Sequence, residues 1–187
     1  GPFKTISSNG MVTFKLVQGV TNKVISTSIA DASYNVGGGQ LSVNAAGGSM
    51  TIAVNNLNLL WCNACSVENS GALIMDTLNL YVHAGSVTLN DLQINKILQL
   101  NALNTGTYKL SGTATFLNLS IVNATLFKGY GLITDSTYIN TTNAFDAEVY
   151  ATQVLNAFIS SSGNVNYKGN PPIVRVTATG SGKAVKK

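Results

Sequence analysis

The chain has 187 residues, of which 45% are hydrophobic and only 10% are charged, whereas typical globular proteins carry about 25% charged residues. This length suits one domain with a sizeable core, and the even spread of apolar residues excludes a disordered protein. The net charge of +4 is small, part of it lies in the lysines of the C-terminal tail, and there is only one arginine. No apolar run approaches about 18 residues. Nucleic-acid binding and a transmembrane segment are therefore not expected.

The polar residues are mostly Asn, Ser, Thr and Gly, which suit turns and the polar faces of strands better than helix interiors. Residues 11–17 (MVTFKLV) and 24–29 (VISTSI) alternate as strands do, and three glycines at 37–39 separate them from the rest of the chain. Terminal units of repeat folds are commonly atypical. We therefore predict that residues 1–36 form an N-terminal β cap.

A repeated template occupies residues 37–170. It reads L-x-L, a short spacer, then G-S/T-x-T/K-L, and it recurs at 41–52, 78–89 and 98–110. L-x-L or closely related pairs start at 41, 57, 78, 98 and 117, so the period is close to 20 residues. This pattern predicts an all-β, single-domain parallel β-helix, or β-solenoid, in which stacked rungs share one core.

Alternation within each strand predicts which side chains face the core. Leu78, Leu80 and Val82 should point one way, and the residues between them the other way. The repeat phase predicts that one residue from each rung stacks in a buried column. That column should contain Leu59, Leu80, Leu100 and Leu119.

Two segments need separate treatment. Residues 89–103 (LNDLQINKILQLNAL) partly fit helical spacing, so a short helix stays open as the alternative to a strand. Residues 160–170 fill another rung, with Val165 and Tyr167 after Gly163. Pro171 and Pro172 should stop that turn from continuing. Residues 171–187 then form a C-terminal strand and a basic tail.

Several stretches together resemble the putative auto-transporter adhesin head GIN domain. They are "FKTI", "VTFKLVQGV", "GGGQLSVNA", the "AGSVTL"-type turns, and "SSSGNVNYKGNPPIVRVTATGSG", and they extend over nearly the whole chain. This sequence departs from the family in using Asn and Thr where members are usually richer in Asp. The resemblance implies a parallel β-helix-like fold in a secreted or surface-exposed bacterial protein. It implies no established activity.

Cys62 and Cys65 lie in the motif "WCNAC". A zinc site needs four ligands, and only His83 remains to help. Haem attachment needs a histidine where Ser66 stands, and a thioredoxin-like motif needs a βαβ context. The remaining interpretations are a local disulfide, which suits an oxidising compartment, and two buried thiols. We expect the disulfide, and no metal or cofactor.

The sequence contains no convincing catalytic arrangement. Asp146 and Glu148 fall on one face of a predicted strand and form the best enzyme-like pair, because polysaccharide-cleaving β-helices need convergent carboxylates. A solvated strand face is nevertheless the favoured interpretation of this pair. His83 has no identifiable Ser or Cys partner and is expected to be exposed. We predict no catalytic residues.

Outward aromatic residues favour binding over catalysis, since aromatic faces give contact area at low entropic cost. The candidate binding residues are Tyr81, Tyr108, Tyr130, Tyr138 and Tyr150. The leading hypothesis is an exported or cell-surface, non-enzymatic adhesin-like module, with its signal peptide already removed. It would bind a surface glycan or protein through an extended Asn/Thr/Tyr face. The alternatives are a self-associating structural envelope module and a carbohydrate-active β-helix enzyme.

Overall fold

The computed structural model describes residues 2–187 and confirms the predicted fold class: 74% of residues are in strands, in a solenoid of about six turns. A single 3-10 helix, Asp31–Ser33, interrupts the strands in the described part of the chain, and no helix there is long and apolar enough to cross a membrane. The strands are β1 Thr5–Asn9, β2 Thr13–Gln18, β3 Lys23–Thr27, β4 Tyr34–Gly37, β5 Gln40–Asn44, β6 Ser49–Val54, β7 Leu57–Asn63, β8 Ser66–Asn69, β9 Leu73–Asn123, β10 Thr125–Asn143, β11 Ala147–Ile159, β12 Val165–Lys168, β13 Ile173–Ala178 and β14 Ala184–Lys186.

The strands β9, β10 and β11 are long because they continue through corners of the coil. Their segments pair in parallel with the rungs above and below, and form two main faces. The long face contains β5, β1, β7, residues 78–83, 98–103 and 116–123 of β9, 136–143 of β10, 154–159 of β11, and β13. The second face contains β6, β2, β8, residues 86–88 and 106–109 of β9, 125–128 of β10, 147–150 of β11, β12 and β14.

The buried column of the long face differs from the prediction at one residue. Leu60, not Leu59, pairs with Leu80, and Leu59 is only half-buried. The cause is a register shift in β7, where Leu57 pairs with Leu78 and one extra residue precedes Leu60. Such a bulge moves a side chain off its expected side. Leu80, Leu100 and Leu119 are all 0% exposed, as a buried column requires.

The N-terminal cap is smaller than predicted. β1 pairs in parallel with both β5 and β7, and β2 with both β6 and β8, so residues 5–18 form a rung inside the stack. Their alternate apolar residues, such as Ile6 and Phe14, are fully buried between neighbouring rungs. Only β3 and β4 act as a cover, pairing antiparallel with β6 and β5.

The helical alternative for residues 89–103 is excluded, because the whole segment belongs to β9. Leu98, Leu100 and Ala102 are buried in strict alternation, as the repeat phase predicted. The strand β12 ends at Lys168, before Pro171 and Pro172. These prolines connect β12 to β13, where no ladder hydrogen bond is required, and β13 and β14 add a further rung.

Cys62 and Cys65 are joined by a disulfide at the corner between β7 and β8, and both are buried. Replacing both by alanine should lower the free energy of unfolding by about 1–3 kcal/mol, because the crosslink no longer restricts the unfolded chain. Urea unfolding of the wild type and of the Cys62→Ala/Cys65→Ala variant checks this. Reductant should lower the free energy of unfolding of the wild type but not that of the variant. Two thiols that can be alkylated in the untreated wild type would contradict the disulfide.

Candidate ligand-binding face

The outward side of the long face is nearly uncharged. Because strand side chains alternate, every second residue of each rung faces solvent there. Within residues 2–187, the strand segments of this face carry Arg175 in β13 as their only charged side chain, and one titratable imidazole, His83. The Lys, Asp and Glu residues lie on the second face, on the remaining side of the coil and in the loops. The long face therefore presents neutral aromatic, amide and hydroxyl groups.

A shallow groove lies on this face between the rungs of β9, β10 and β11. Asn118, Tyr138 and Asn156 occupy one column across three rungs, and Ser120, Asn140 and Phe158 occupy the next. The groove has a volume of about 220 Å³. It is lined by Asn118, Tyr138, Ile139, Asn140, Asn156 and Phe158.

Two exposed aromatic rings border the groove. Tyr138 is 40% exposed and Phe158 is 43% exposed. Phe116 supports the first of them, since its ring centroid lies 5.0 Å from that of Tyr138 at a tilt of 47°. Tilted contacts of this kind suit the aromatic quadrupole and hold both rings in place. Tyr138 therefore offers a fixed apolar surface beside polar amides.

The amide groups in the groove are free to bind a ligand. The side chains of Asn118, Asn140 and Asn156 have no hydrogen-bond partner within the part of the protein that the structure describes. Each amide provides two N–H donors and one acceptor oxygen. The groove thus combines ring faces with unused donors and acceptors, spaced by the distance of roughly 4.8 Å between rungs.

Amides at the adjacent corner are used differently. Asn63 Nδ2 donates to Asn9 Oδ1 at 3.2 Å, His83 Nδ1 lies 3.3 Å from Asn63 Oδ1, and Asn104 Nδ2 lies 3.0 Å from His83 Nε2. Asn123 Nδ2 then donates to Asn104 Oδ1 at 2.8 Å. This ladder links successive rungs. The His83 imidazole is exposed, as predicted, and it forms one step of this hydrogen-bonded ladder.

Only two of the five predicted tyrosines lie on the long face. Tyr138 borders the groove, and Tyr81 is half-buried beside Trp61 on the adjoining rung. Tyr150 pairs with Lys168 on the second face. Tyr130 follows the 125–128 segment at the next corner, and its ring centroid is 4.5 Å from Lys168 Nζ. Burial, and then the charges of Glu148 and Asp146, raise the Tyr130 pKa. The predicted strip therefore does not exist as one surface.

Tyr108 cannot bind a surface ligand, because it is 0% exposed in the core. It occupies the x position of the G-S/T-x-T/K-L template, which holds the buried residues Met50 and Val87 in other rungs. Its hydroxyl donates to the carbonyl oxygen of Val82 at 3.4 Å. Burial raises the pKa of this phenol well above its usual range.

Asp146 and Glu148 do not converge with other acids. Asp146 accepts hydrogen bonds from the backbone N–H of Asn164 at 2.8 Å and from Asn166 Nδ2 at 3.0 Å, and these bonds, led by that of Asn164 N–H, hold its pKa below the usual range. It thereby ties one rung to the next. From Pro2 to Lys187, no group of three or more His, Cys, Asp or Glu side chains is placed to hold a metal ion.

Sequence reasoning missed Trp61, Phe116 and Phe158 on the long face. Phe116 could have been found, because it lies directly before the inward pair Leu117 and Leu119 and must therefore face outward. Phe158 was hidden because its rung uses alanine at position 157 in place of the usual leucine. The L-x-L signal is absent there.

The fold and the groove together define an elongated β-solenoid with a shallow, uncharged candidate binding face. The chain belongs to the family described as "Putative auto-transporter adhesin, head GIN domain", whose sequence profile matches residues 2–171. This finding confirms the resemblance seen in the sequence. No curated protein matches the chain significantly.

Solved structures share the fold. A putative adhesin from Bacteroides fragilis NCTC 9343 is 18% identical, with a TM-score of 0.82 over 100% of this chain and 93% of that one. A putative adhesin from Parabacteroides distasonis ATCC 8503 is 19% identical, with a TM-score of 0.68 over 100% and 93%. A putative lipid binding protein from the same organism is 17% identical, with a TM-score of 0.63 over 98% and 93%. At these identities the likeness establishes the fold alone.

Proposed function

We propose that this protein is a non-enzymatic, surface-exposed binding module that recognises neutral glycan chains through the long face. The observation that carries the proposal is the groove that the free amides of Asn118, Asn140 and Asn156 line together with the exposed rings of Tyr138 and Phe158. Sugar rings present apolar C–H faces and a fringe of hydroxyls. Such a ligand needs both aromatic surfaces and neutral donors and acceptors.

The charge distribution supports a neutral ligand. A glycan rich in uronate or sulfate would need several cations at the groove, whereas the three rung segments that form the groove carry none and the next rung carries only Arg175, which pairs with Asn156. Family membership and the buried disulfide support an exported location, since disulfides persist in oxidising compartments. A flat face without a deep pocket binds through many weak contacts, so affinity for one chain should be low and should increase when many copies are displayed together.

Multivalent binding to a glycan array tests this function. The protein is displayed on beads, and wild type is compared with Tyr138→Ala, Phe158→Ala and the double variant. Each single change should weaken binding by about tenfold, as expected for an interface residue that contributes about 1.4 kcal/mol. Both side chains are exposed, so folding should be preserved.

Phe145→Ala is the matched control, because Phe145 is 52% exposed but lies between β10 and β11, outside the groove. Its binding should equal that of the wild type. Binding restricted to charged glycans, or binding that the double variant retains in full, would rule out the groove. A protein ligand would appear as binding to deglycosylated cell surfaces.

A further inference from the structure

The two ends of the solenoid are finished differently. At the N-terminal end, the antiparallel strands β3 and β4 cover β6 and β5. At the C-terminal end, β13 pairs only with β11 and β14 pairs only with β12 among the strands of residues 2–187. The outer backbone N–H and C=O groups of β13 and β14 therefore form an open sheet edge, which is a template for another strand.

The open edge also exposes the end of the hydrophobic core. All six residues of β13 are exposed, including Ile173 at 40%, Val174 at 42% and Val176 at 44%. Val174 pairs with Leu155, and Val176 pairs with Ala157. Leu155 and Ala157 are both fully buried. These valines continue interior columns of the long face, so a further strand would bury them.

The charge of this edge indicates the chemistry of its occupant. The residues from 171 onward carry four of the eleven Lys and Arg side chains and no acid. They are Arg175, Lys183, Lys186 and Lys187. A second copy joined through the same edge would oppose these cations directly. Head-to-tail stacking would bring them against β3 and β4, where residues 23–37 contain one lysine and one aspartate.

We propose that the β13–β14 edge binds an extended, acidic segment of a partner protein by strand addition. The partner strand forms backbone hydrogen bonds with β13 and places apolar side chains over Val174 and Val176. Its acidic side chains lie on the outer side, near Arg175. The six residues of β13 span roughly 20 Å at about 3.3 Å each, so a partner segment of similar length suffices.

A labelled seven-residue peptide that alternates valine and glutamate is the probe, measured by fluorescence anisotropy with the full chain. An Arg175→Glu/Lys186→Glu variant should weaken binding by at least about tenfold, because it reverses the charge of the edge. Lys128→Glu is the matched control, since Lys128 is exposed in the middle of the second face. It should bind within about twofold of wild type.

Two further comparisons separate strand addition from simple charge attraction. The same peptide with alternate backbone amides N-methylated should not bind, because it cannot form the backbone hydrogen bonds. Binding of the unmodified peptide should protect the backbone amides of β13 from hydrogen exchange. Equal binding of both peptides, no binding of the valine–glutamate peptide, or concentration-dependent dimers in light scattering would overturn the proposal. The Tyr138→Ala/Phe158→Ala variant should bind the peptide normally, so this test is independent of glycan binding.

Discussion

The Gly106→Ala variant is expected to be severely destabilised or to fail to fold. A Cβ atom at this position would overlap the backbone carbonyl oxygen of Gly85 on the neighbouring rung and would lie 2.9 Å from the Tyr108 ring. Neither backbone can move away, because adjacent rungs are fixed by the parallel ladder. The loss of stability should therefore reach or exceed the upper end of the roughly 1–3 kcal/mol typical of overpacking.

Gly47→Ala is the matched control for this prediction. An added Cβ at Gly47 meets nothing within 4 Å, and the residue lies in the loop before β6. Its effect on the free energy of unfolding should stay within about 0.5–1 kcal/mol in either direction. Urea unfolding followed by far-UV circular dichroism compares the two variants. Equal stabilities would mean that the rungs at this corner lie further apart than the structure has them.

The coil could be predicted because its signal is local and repeated. Gly48, Gly85 and Gly106 open the same short template in three rungs, and each needs space where the chain turns close to a neighbour. The template also contains the information that Tyr108 faces inward, since it shares a position with Met50 and Val87. The wrong assignment of Tyr108 came from treating tyrosine as an outward residue by type.

Other features could not be derived from local alternation. The insertion of β1 between β5 and β7 depends on which rung stacks on which, and that is a long-range choice. The bulge in β7 places Leu60 in the core where Leu59 was predicted. It adds one residue to the strand, and no Gly or Pro in the sequence indicates its position. The groove depends on the register between β9, β10 and β11, so its amides and rings were not brought together by sequence reasoning.

The register also explains why the groove amides are free whereas the corner amides are not. At the corner, Asn104 and Asn123 stand directly above one another and bond across the rungs. In the groove, Asn118 and Asn156 are separated in their column by Tyr138, so amide–amide bonding is interrupted. An aromatic residue placed within an amide column leaves its neighbours available for a ligand.

The Asn143→Ala variant is expected to lose about 3–5 kcal/mol of stability, because the change leaves buried backbone groups without partners. Asn143 is fully buried; its Nδ2 donates to the carbonyl oxygens of Thr125 and Phe145 at 2.6 and 2.8 Å, and its Oδ1 accepts from Thr125 N–H at 2.8 Å. These bonds join the start of β10 to its end one rung later. Equilibrium urea unfolding measures the loss.

Two variants make this prediction specific. Asn95→Ala removes an exposed amide whose side-chain contact is a 3.4 Å bond to Asp76, and it should change stability by less than about 0.5 kcal/mol. Asn143→Asp keeps the shape but places a carboxylate oxygen against two carbonyl oxygens. Its deficit relative to wild type should shrink as the pH falls, because a protonated carboxyl can again donate one hydrogen bond. The prediction is contradicted if Asn143→Ala loses little stability, or if the stability loss of Asn143→Asp does not change with pH. Either result would mean that water replaces the amide and that the backbone ladder alone joins these rungs.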